Sequence, residues 1–342
     1  MNISTIGIDL AKNVFAIHGI DERGRVVVRR ELRRSQVLPF FAKLPVCLVG
    51  MEASAGAHYW GRELMKLGHD VRLMPATYVK AYVKRGKTDA ADAEAVCEAV
   101  TRPTMRFVPV KSKEQQGLLS LHRARDVLVR QRTQTINVLR SLAAEFGVIA
   151  AKGKLPFSQL EALILDEADG RLPQAARLAL KPLMDQIQSL LRHIVLLERE
   201  IVGRARKDEA NARLQTIPGV GPITASALLA TLGNPSRFAK ARDLAAWIGL
   251  TPKAHASGGK ARRSAISKQG DPYLRRLLVQ GASAVIRTAR KPNSKASAWL
   301  KTVLLKLPPK VALIALANKT ARIVWAILVK GGVYGHSQTV AP

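Results

Sequence analysis

Cysteine, acidic residues and long apolar runs are all scarce in this chain of 342 residues. Its two cysteines, Cys47 and Cys97, lie far apart without a CxxC pair, so neither a disulfide framework nor a zinc site is indicated. No apolar run reaches the ~18 residues of a membrane span. The nearest candidate, "VALIALANKTARIVWAILV", is interrupted by Asn318, Lys319 and Arg322 and predicts an amphipathic helix.

Acidic residues number 25 against 55 Lys and Arg, which gives a net charge of +30. An excess of this size indicates a polyanionic partner, most commonly nucleic acid, and makes a merely basic soluble protein the weaker interpretation. Charge alone does not separate DNA from RNA, or binding from catalysis. Asp9 and Lys12 interrupt any apolar core of a signal peptide, so we expect a cytoplasmic protein.

The first 75 residues alternate between strand-like and helix-like runs. The runs "STIGID", "NVFAIHG" and "RVVVRREL" predict three strands in an antiparallel meander. A helix in "SQVLPFFAKL", a strand in "VCLVGM", a helix over about 57–67 and a strand in "DVRLMP" are predicted next. This order predicts a mixed sheet flanked by helices, in an α/β domain over residues 1–112.

A long helical segment, residues 113–206, is predicted next, with a break at "AKGKLPFS". Within it, apolar residues alternate steps of three and four: Leu180, Leu183, Ile187, Leu190, Ile194, Leu197 and Ile201. A coiled coil, within the chain or between protomers, and a buried amphipathic helix explain this spacing equally well.

The last third, a mainly α-helical domain over 207–330 before a tail at 331–342, opens with a glycine-rich turn. The run "LQTIPGVGPITASALLATLG" is typical of a helix-hairpin-helix element. Gly219 and Gly221 would let the backbone approach a phosphate at the start of the next helix, near Ile223. A structural glycine turn has the same sequence.

A basic helix is predicted farther along, in "QGDPYLRRLLVQGASAVIRTAR". Asp271 is placed to cap its N-terminus and Pro272 to occupy its first position. Arg275 and Arg276 follow in its first turns. We expect this helix to contact nucleic acid.

Four acids stand out against the basic background: Asp9 in the first strand, Glu52 after the fourth, and Asp89 and Asp92 in "GKTDAADAEAV". Taken singly, Asp89 could cap a helix, Asp92 could be a first-turn acid and Glu52 an ordinary loop residue. The two strand-borne acids have no such local explanation, because a carboxylate within a half-buried strand needs compensation.

Neighbouring first and fourth strands would bring these acids to one edge of the sheet. Converging carboxylates repel one another unless divalent cations lie between them, and oxygen donors without His or Cys select magnesium, or manganese. Magnesium also serves phosphodiester chemistry. The sequence therefore predicts a metal site at Asp9, Glu52, Asp89 and Asp92.

At these residues the chain resembles a known family. The blocks "IGIDLAKN", "MEASAG" and "KTDAADAEA" resemble the DEDD tetrad of the RuvC-like (RNase H-like) domain in insertion-sequence transposases related to the pilin-gene invertase. The later blocks "IPGVGPITASALLATLG", "FAKARDLAAWIGLTPK", "ASGGKARRSAISKQG" and "LRRLLVQGA" are similar to that family's second domain. The resemblance covers about residues 3 to 330, with all blocks in order.

The resemblance implies a DNA recombinase of the bacterial cytoplasm, associated with the nucleoid. It assigns Asp9, Glu52, Asp89 and Asp92 to metal binding and Ser257 to nucleophilic attack through a covalent phosphoserine. It also implies guidance by a structured non-coding RNA, the bridge RNA, which pairs with donor and target DNA. A dimer or tetramer is implied, with the acids of one protomer serving the serine of another.

The residues themselves support Ser257 in part. The two glycines after it would expose its hydroxyl, and nearby cations could stabilise a pentavalent phosphate. No His–Asp pair activates it, His255 lies too close in sequence to judge, and Ser264 and Ser267 are rivals. The residues expected to contact nucleic acid are Lys12, Lys87, Gly219, Gly221, Lys253, Lys260, Arg262, Arg263, Lys268, Arg275 and Arg276.

The residues leave two other functions open. A metal-dependent nuclease of the Holliday-junction-resolvase type would use water and leave Ser257 idle. A non-catalytic nucleic-acid-binding protein would carry a decayed metal site. The intact tetrad argues against the second alternative, and only the serine-bearing domain argues against the first.

Overall fold

The computed structural model describes residues 2–84, 86, 88–149, 154–257, 260–291, 294 and 296–335, with the backbone alone for 154–157, 254–257 and 260–264. The chain divides into two compact units, residues 1–116 and residues 117–342. We call them unit 1 and unit 2.

Unit 1 is built on a five-stranded mixed sheet. Its strands are β1 (Thr5–Asp9), β2 (Val14–Ile20), β3 (Val26–Arg33), β4 (Leu48–Glu52) and β5 (Asp70–Met74). They lie in the order β3-β2-β1-β4-β5. The first three form an antiparallel meander, and β4 is parallel to both β1 and β5. The predicted meander and the predicted adjacency of the first and fourth strands are confirmed.

Helices cover both faces of this sheet. They are α1 (Val37–Phe41), α2 (Ala57–Lys66), α3 (Ala76–Val79) and α4 (Asp89–Val100). Alternate residues of a strand point to opposite faces: Ile6 and Ile8 join a buried cluster with Trp60 of α2, whereas Gly7 lies against α4. Helix α2 therefore covers one face of the sheet and α4 covers the other.

The predicted helix in "SQVLPFFAKL" is shorter than expected. Only a 3-10 turn over 34–36 and the five-residue α1 form there. Val37 and Phe41 of α1 are buried. The helix ends at Phe41, four residues before Pro45.

Both cysteines are buried in unit 1. Burial raises the pKa of the Cys47 thiol to about 11, and burial likewise raises that of Cys97 to about 12. The backbone N–H of Cys47 donates a hydrogen bond to Nδ1 of His69 over 3.3 Å. Thiols held in the neutral form in this way are packing residues rather than nucleophiles or metal ligands.

Three helices make up the middle of the chain: α5 (Lys113–Ala144), α6 (Lys154–Leu165) and α7 (Gln174–Ala205). Residues of the heptad-like pattern in α7 pack against other helices of the same chain. Leu180 and Ile187 belong to one buried cluster with Leu139 of α5 and Leu160 of α6. This packing supports the interpretation of α7 as a buried amphipathic helix. The predicted break is shorter than "AKGKLPFS", because Pro156 lies in the first turn of α6, where proline is tolerated.

The rest of unit 2 is mainly helical. Its elements are α8 (Glu209–Gln215), α9 (Pro222–Leu232), α10 (Ala241–Trp247), β6 (Pro252–Ser257), β7 (Lys260–Ile266), α11 (Pro272–Ala289), α12 (Ala298–Lys306) and α13 (Pro309–Lys330). One buried cluster joins α8, α9, α10, α11 and α13. Asp271 caps α11 as predicted, since its carboxylate accepts from the N–H groups of Tyr273 and Leu274.

The antiparallel pair of β6 and β7 was not predicted from the sequence. Ser257 is the last residue of β6 and pairs with Lys260 of β7. Gly258 and Gly259 between them lie outside the described residues. Two glycines between two runs of similar length are nevertheless a hairpin signal in the sequence.

Helix α13 is long and apolar enough to cross a membrane by length and composition, and it is the one such helix in the described part of the chain. Its buried residues Ala317, Ala321, Val324 and Ile327 belong to the core of unit 2. Asn318 donates from its side chain to the carbonyl of Leu250 over 3.2 Å. The helix therefore serves as a core element of this unit, and its Asn318 and Lys319 make intrachain contacts, the latter with the Trp299 ring.

The turn between α8 and α9 makes a close backbone contact with α11. Gly219 has a left-handed φ of 85°, and a Cβ there would lie 2.7 Å from the carbonyl oxygen of Gly281. A Cβ on Gly281 would in turn lie 2.0 Å from the carbonyl oxygen of Gly219. Helix packing thus requires Gly219, whereas Gly221 has open space around its Cα and caps α9.

This contact makes unit 2 sensitive to one methyl group. We expect Gly281→Ala to lower the free energy of unfolding by about 1–3 kcal/mol or more, because the helix must shift to admit the new Cβ. Gly203→Ala in α7 is the matched control: nothing lies within 4 Å of a Cβ there, so this change should stabilise by about 0.5–1 kcal/mol. Urea unfolding of both variants measures the difference, and equal stabilities would contradict the close contact.

Candidate active site

The strand-borne acids lie at the carboxyl ends of adjacent parallel strands. Asp9 ends β1 and Glu52 ends β4, and the register pairs Gly7 with Gly50. Both glycines lie against α4: a Cβ on Gly7 would be 2.2 Å from the carbonyl oxygen of Ala93, and one on Gly50 would be 2.8 Å from Cβ of Val100. Because side chains alternate along a strand, the acid two residues after each glycine belongs to the same face.

Helix α4 brings the other two acids to this edge. Thr88 is its N-cap, with a side-chain oxygen that accepts from the N–H of Ala91 over 3.2 Å. Asp89 and Asp92 both lie in the first turn. The capping alternative for Asp89 is therefore wrong, since Thr88 occupies that position. The first turn also places both carboxylates where the helix dipole favours negative charge.

Carboxylate oxygens of Asp9, Asp89 and Asp92 lie within 4.8 Å of one another. Glu52 is close enough for its charge to act on Asp9, and the charge of Asp92 acts on Glu52 in turn. The alternative of Glu52 as an ordinary loop residue is also wrong, because it is half-buried at the end of β4. Strands and helix thus bring all four predicted acids to one edge.

Burial and mutual repulsion make ionisation unfavourable here. The pKa of Asp9 rises from 3.8 to about 6, first through burial and then through the charges of Asp89, Asp92 and Glu52, against a lowering by the backbone N–H of Leu10. The pKa of Glu52 is also raised, by burial and by Asp92. Hard oxygen donors that repel one another in this way fit a divalent cation, which would supply the missing positive charge.

The residues predicted to contact nucleic acid have varied surroundings. Lys12 is exposed in the loop after β1, Lys253 is exposed in β6, and Lys268 is exposed with a left-handed φ of 55°. Lys87 lies outside the described residues. Lys260, Arg262 and Arg263 belong to β7, whose backbone alone is described at these positions.

The two arginines predicted to form the basic face of α11 are engaged within the chain. The guanidinium of Arg275 donates to the carbonyls of Ile248 and Gln269, each over 2.8 Å. Arg276 forms an ion pair with Asp126 over 2.8 Å. Arg275 thus has hydrogen-bond acceptors and Arg276 has a counter-charge within the chain. Of these partners, Ile248 and Asp126 are distant in sequence, and the local run "LRRLL" did not reveal them.

The candidate serines lie in or next to the β6–β7 pair. Ser257 ends β6 and Ser264 lies within β7, and only their backbone is described. Ser267 follows β7, and its backbone N–H donates to the carbonyl of Thr251 over 2.8 Å. Ser257 belongs to unit 2, whereas the four acids belong to unit 1.

Sequence reasoning missed the two glycines that allow the acids to meet. Gly7 precedes Asp9 by two residues and Gly50 precedes Glu52 by two residues. This repeated Gly-x-acid spacing was the available signal, because it combines the absence of a side chain with a carboxylate on the same face of a strand.

A mixed sheet with acids at the ends of β1 and β4 and on α4 is compatible with a DEDD domain of the RNase H-like class. Family comparison agrees with this class. The transposase domain with the DEDD site of the IS110 type matches residues 6–147, and the domain described as "Transposase IS116/IS110/IS902 family" matches residues 211–298. The chain belongs to the IS110/IS116 family of transposases.

Similar proteins support this membership along the whole chain. A probable family 20 transposase of Pseudomonas aeruginosa is 48% identical over 98% of this chain and 99% of its own length. The transposase for insertion sequence element IS1111A of Coxiella burnetii is 40% identical over 97% of this chain and 92% of its own. The transposase for IS1328 of Yersinia enterocolitica is 39% identical over 97% and 99%.

The raised pKa of Asp9 predicts how stability depends on pH without metal. Its folded pKa of about 6 lies above the ordinary aspartate pKa of 3.8, so the folded state binds the proton more tightly than the unfolded state. The contribution of Asp9 to stability is therefore lost as pH rises from about 4 through about 6. We expect Asp9→Asn in EDTA to melt higher than the wild type at pH 7.5, with a smaller gap at pH 5.

A carboxylate with the opposite shift provides the control. The pKa of Asp21 is lowered, chiefly by the backbone N–H of Arg25, so its contribution to stability is present above its unfolded pKa. Asp21→Asn should therefore melt below the wild type at pH 7.5. A melting temperature of Asp9→Asn that stays below the wild type at both pH values would contradict the repulsive cluster.

Proposed function

We propose that this chain is an insertion-sequence DNA transposase that cuts and rejoins DNA at a magnesium-dependent site formed by Asp9, Glu52, Asp89 and Asp92. The observation that carries the proposal is the convergence of three carboxylates within 4.8 Å in a chain of a transposase family. The net charge of +30 fits a DNA substrate, because cations neutralise backbone phosphates.

The four acids would hold the metal. Magnesium, with manganese as a substitute, is proposed because every donor is a carboxylate and neither His nor Cys belongs to the cluster. When bound, the ion would offset negative charge at the phosphate and lower the pKa of an attacking oxygen. Asp9 and Glu52, whose pKa values are raised, are the groups whose ionised form gains most from a cation.

We also propose Ser257 as the nucleophile. Its hydroxyl loses a proton while its Oγ bonds to phosphorus, and the bond from phosphorus to the leaving sugar oxygen breaks as that oxygen takes up a proton. Attack by the sugar hydroxyl of another strand reverses the exchange and frees the serine, so no water is consumed. Support comes from the family resemblance and from the position of Ser257 beside two glycines opposite a basic strand, β7.

Guidance by a structured non-coding RNA and assembly as a dimer or tetramer are part of the same proposal. The resemblance supports both. The proposed domains are the acid-bearing domain (1–112), the helical middle (113–206) and the serine-bearing domain (207–330). Helix α7 leaves Leu178 and Leu196 67% and 63% exposed, which fits an apolar contact between protomers. A cytoplasmic location beside the nucleoid follows from a DNA substrate.

Metal binding should raise the melting temperature only if the acids are intact. In EDTA followed by excess magnesium, we expect a clear rise for the wild type and a much smaller one for Asp9→Asn and Asp92→Asn, because binding to the folded state alone stabilises it. Asp70→Asn is the control, since Asp70 forms an exposed ion pair with Arg72 and does not belong to the cluster. Equal rises in all four proteins would remove the metal site.

The serine step predicts a covalent product. Labelled DNA should remain attached to protein in denaturing gels, and peptide mapping by mass spectrometry should place the adduct on Ser257. Ser257→Ala should lose the adduct and strand exchange together, while Ser264→Ala and Ser267→Ala retain both. If Ser257→Ala cuts DNA at the wild-type rate without a covalent species in either protein, water is the nucleophile.

A further inference from the structure

A cavity of about 670 Å³ opens in unit 1, and none of the four acids lines it. Its walls come from three parts of the chain: Asn13 in the loop after β1, Arg33 and Arg34 at the end of β3, and Tyr59 and Trp60 of α2. We call it the Trp60 cavity. Nothing in the metal site or the serine step uses these residues.

The Trp60 cavity lies at the same edge of the sheet as the acids. Strand β2 runs antiparallel to β1, and Val14 at its start pairs with Arg33 at the end of β3, so both belong to the carboxyl end of β1. Asn13 follows Asp9 by four residues, which limits the distance between their Cα atoms to about 14 Å. Trp60 packs on the face covered by α2, whereas the acids belong to the α4 face.

The charge of the cavity is positive. Arg33 and Arg34 line it and are exposed, and among the described residues no carboxylate pairs with either. Two earlier arginines of the same hairpin are paired: Arg25 with Asp21 and Arg29 with Glu94. No acid lines the cavity. Within the described part of the chain, Arg34 donates only to the neutral carbonyl of Lys12 over 3.5 Å. The positive charges of Arg33 and Arg34 can therefore both meet an anionic ligand such as a phosphate.

Two of the lining residues, Tyr59 and Trp60, are aromatic. Trp60 is buried, whereas Tyr59 is 42% exposed, and the two ring centroids lie 5.2 Å apart at an interplanar angle of 77°. The guanidinium carbon of Arg34 lies 5.1 Å from the centroid of the Trp60 ring. Exposed aromatic faces and guanidinium planes are the surfaces on which unpaired nucleobases stack.

We infer that the Trp60 cavity binds one unpaired nucleotide of the DNA strand that is cut at the acids, with its base against Tyr59 and Arg34 and its phosphate beside Arg33. The limit of about 14 Å between the Cα atoms of Asp9 and Asn13 keeps the cavity within a few nucleotides of the acids along a strand. DNA is the ligand rather than RNA because the cavity shares its sheet edge with the acids that act on DNA. The inference rests on the proposed function and adds a strand-positioning subsite to it.

Photocrosslinking tests the subsite without catalysis. Full-length protein in EDTA is irradiated with single-stranded DNA that carries 5-iodouracil, and the adducts are mapped by mass spectrometry. Adducts on Tyr59 or Trp60 are expected. Adducts confined to unit 2, or adducts on Tyr59 with an RNA of the same sequence but not with the DNA, would overturn the inference.

Affinity measurements supply matched variants. We expect Tyr59→Ala to bind single-stranded DNA about tenfold more weakly, since one stacked base is lost, and Tyr59→Phe to bind like the wild type. Arg33→Ala should reduce the slope of log affinity against log salt by about 0.7, the value for one phosphate on a single strand. Arg30→Ala, an exposed arginine of β3 outside the cavity lining, should change the slope less.

The outcomes separate this inference from the function on which it rests. Wild-type protein that cuts DNA with magnesium, together with a Tyr59→Ala variant that binds and cuts like Arg30→Ala, would overturn the subsite alone. Protein that crosslinks through Tyr59 but never cuts or joins DNA would overturn the transposase proposal and, with it, the assignment of the bound strand as a reaction substrate. Melting temperatures confirm that each variant is folded.

Discussion

The contact of α4 with two glycines of the sheet is the constraint on which the acid site depends. Gly7 and Gly50 face each other in adjacent parallel strands, and neither leaves room for a Cβ beneath the helix. Since α4 lies directly on the sheet, its first turn reaches the strand ends, and Asp89 and Asp92 meet Asp9 and Glu52. A helix held farther off by two methyl groups would separate the carboxylates.

The close contact of α4 with the sheet has a favourable packing contribution and an unfavourable electrostatic one. Burial of Ala93, Val96 and Cys97 in α4 favours the contact between helix and sheet, while the carboxylates it gathers repel one another and raise the pKa of Asp9 to about 6. Only a proton or a cation relieves that repulsion. Without a metal, burial of apolar surface stabilises the fold although the carboxylates repel one another. The same repulsion raises the affinity of the site for cations.

Much of unit 1 could be predicted from sequence because its signals are local. Apolar runs with turn residues between them predicted all five strands, and the order of these runs predicted the adjacency of β1 and β4. Unit 2 was less predictable where a residue's partner is distant in the chain. Gly219 is explained by Gly281, and Arg276 by Asp126, and no pattern around either residue points to its partner. The β6–β7 pair was missed because its runs are basic rather than apolar.

The buried cysteines have a practical consequence for chemistry on this protein. Both thiols are enclosed in the core of unit 1 and hold their protons far above neutral pH, whereas maleimides and iodoacetamides react with accessible thiolates. We therefore expect both thiols of the folded protein to react only slowly with such reagents. A single cysteine introduced on an exposed helix face would carry a fluorophore or spin label at one chosen position, without prior removal of the natural thiols.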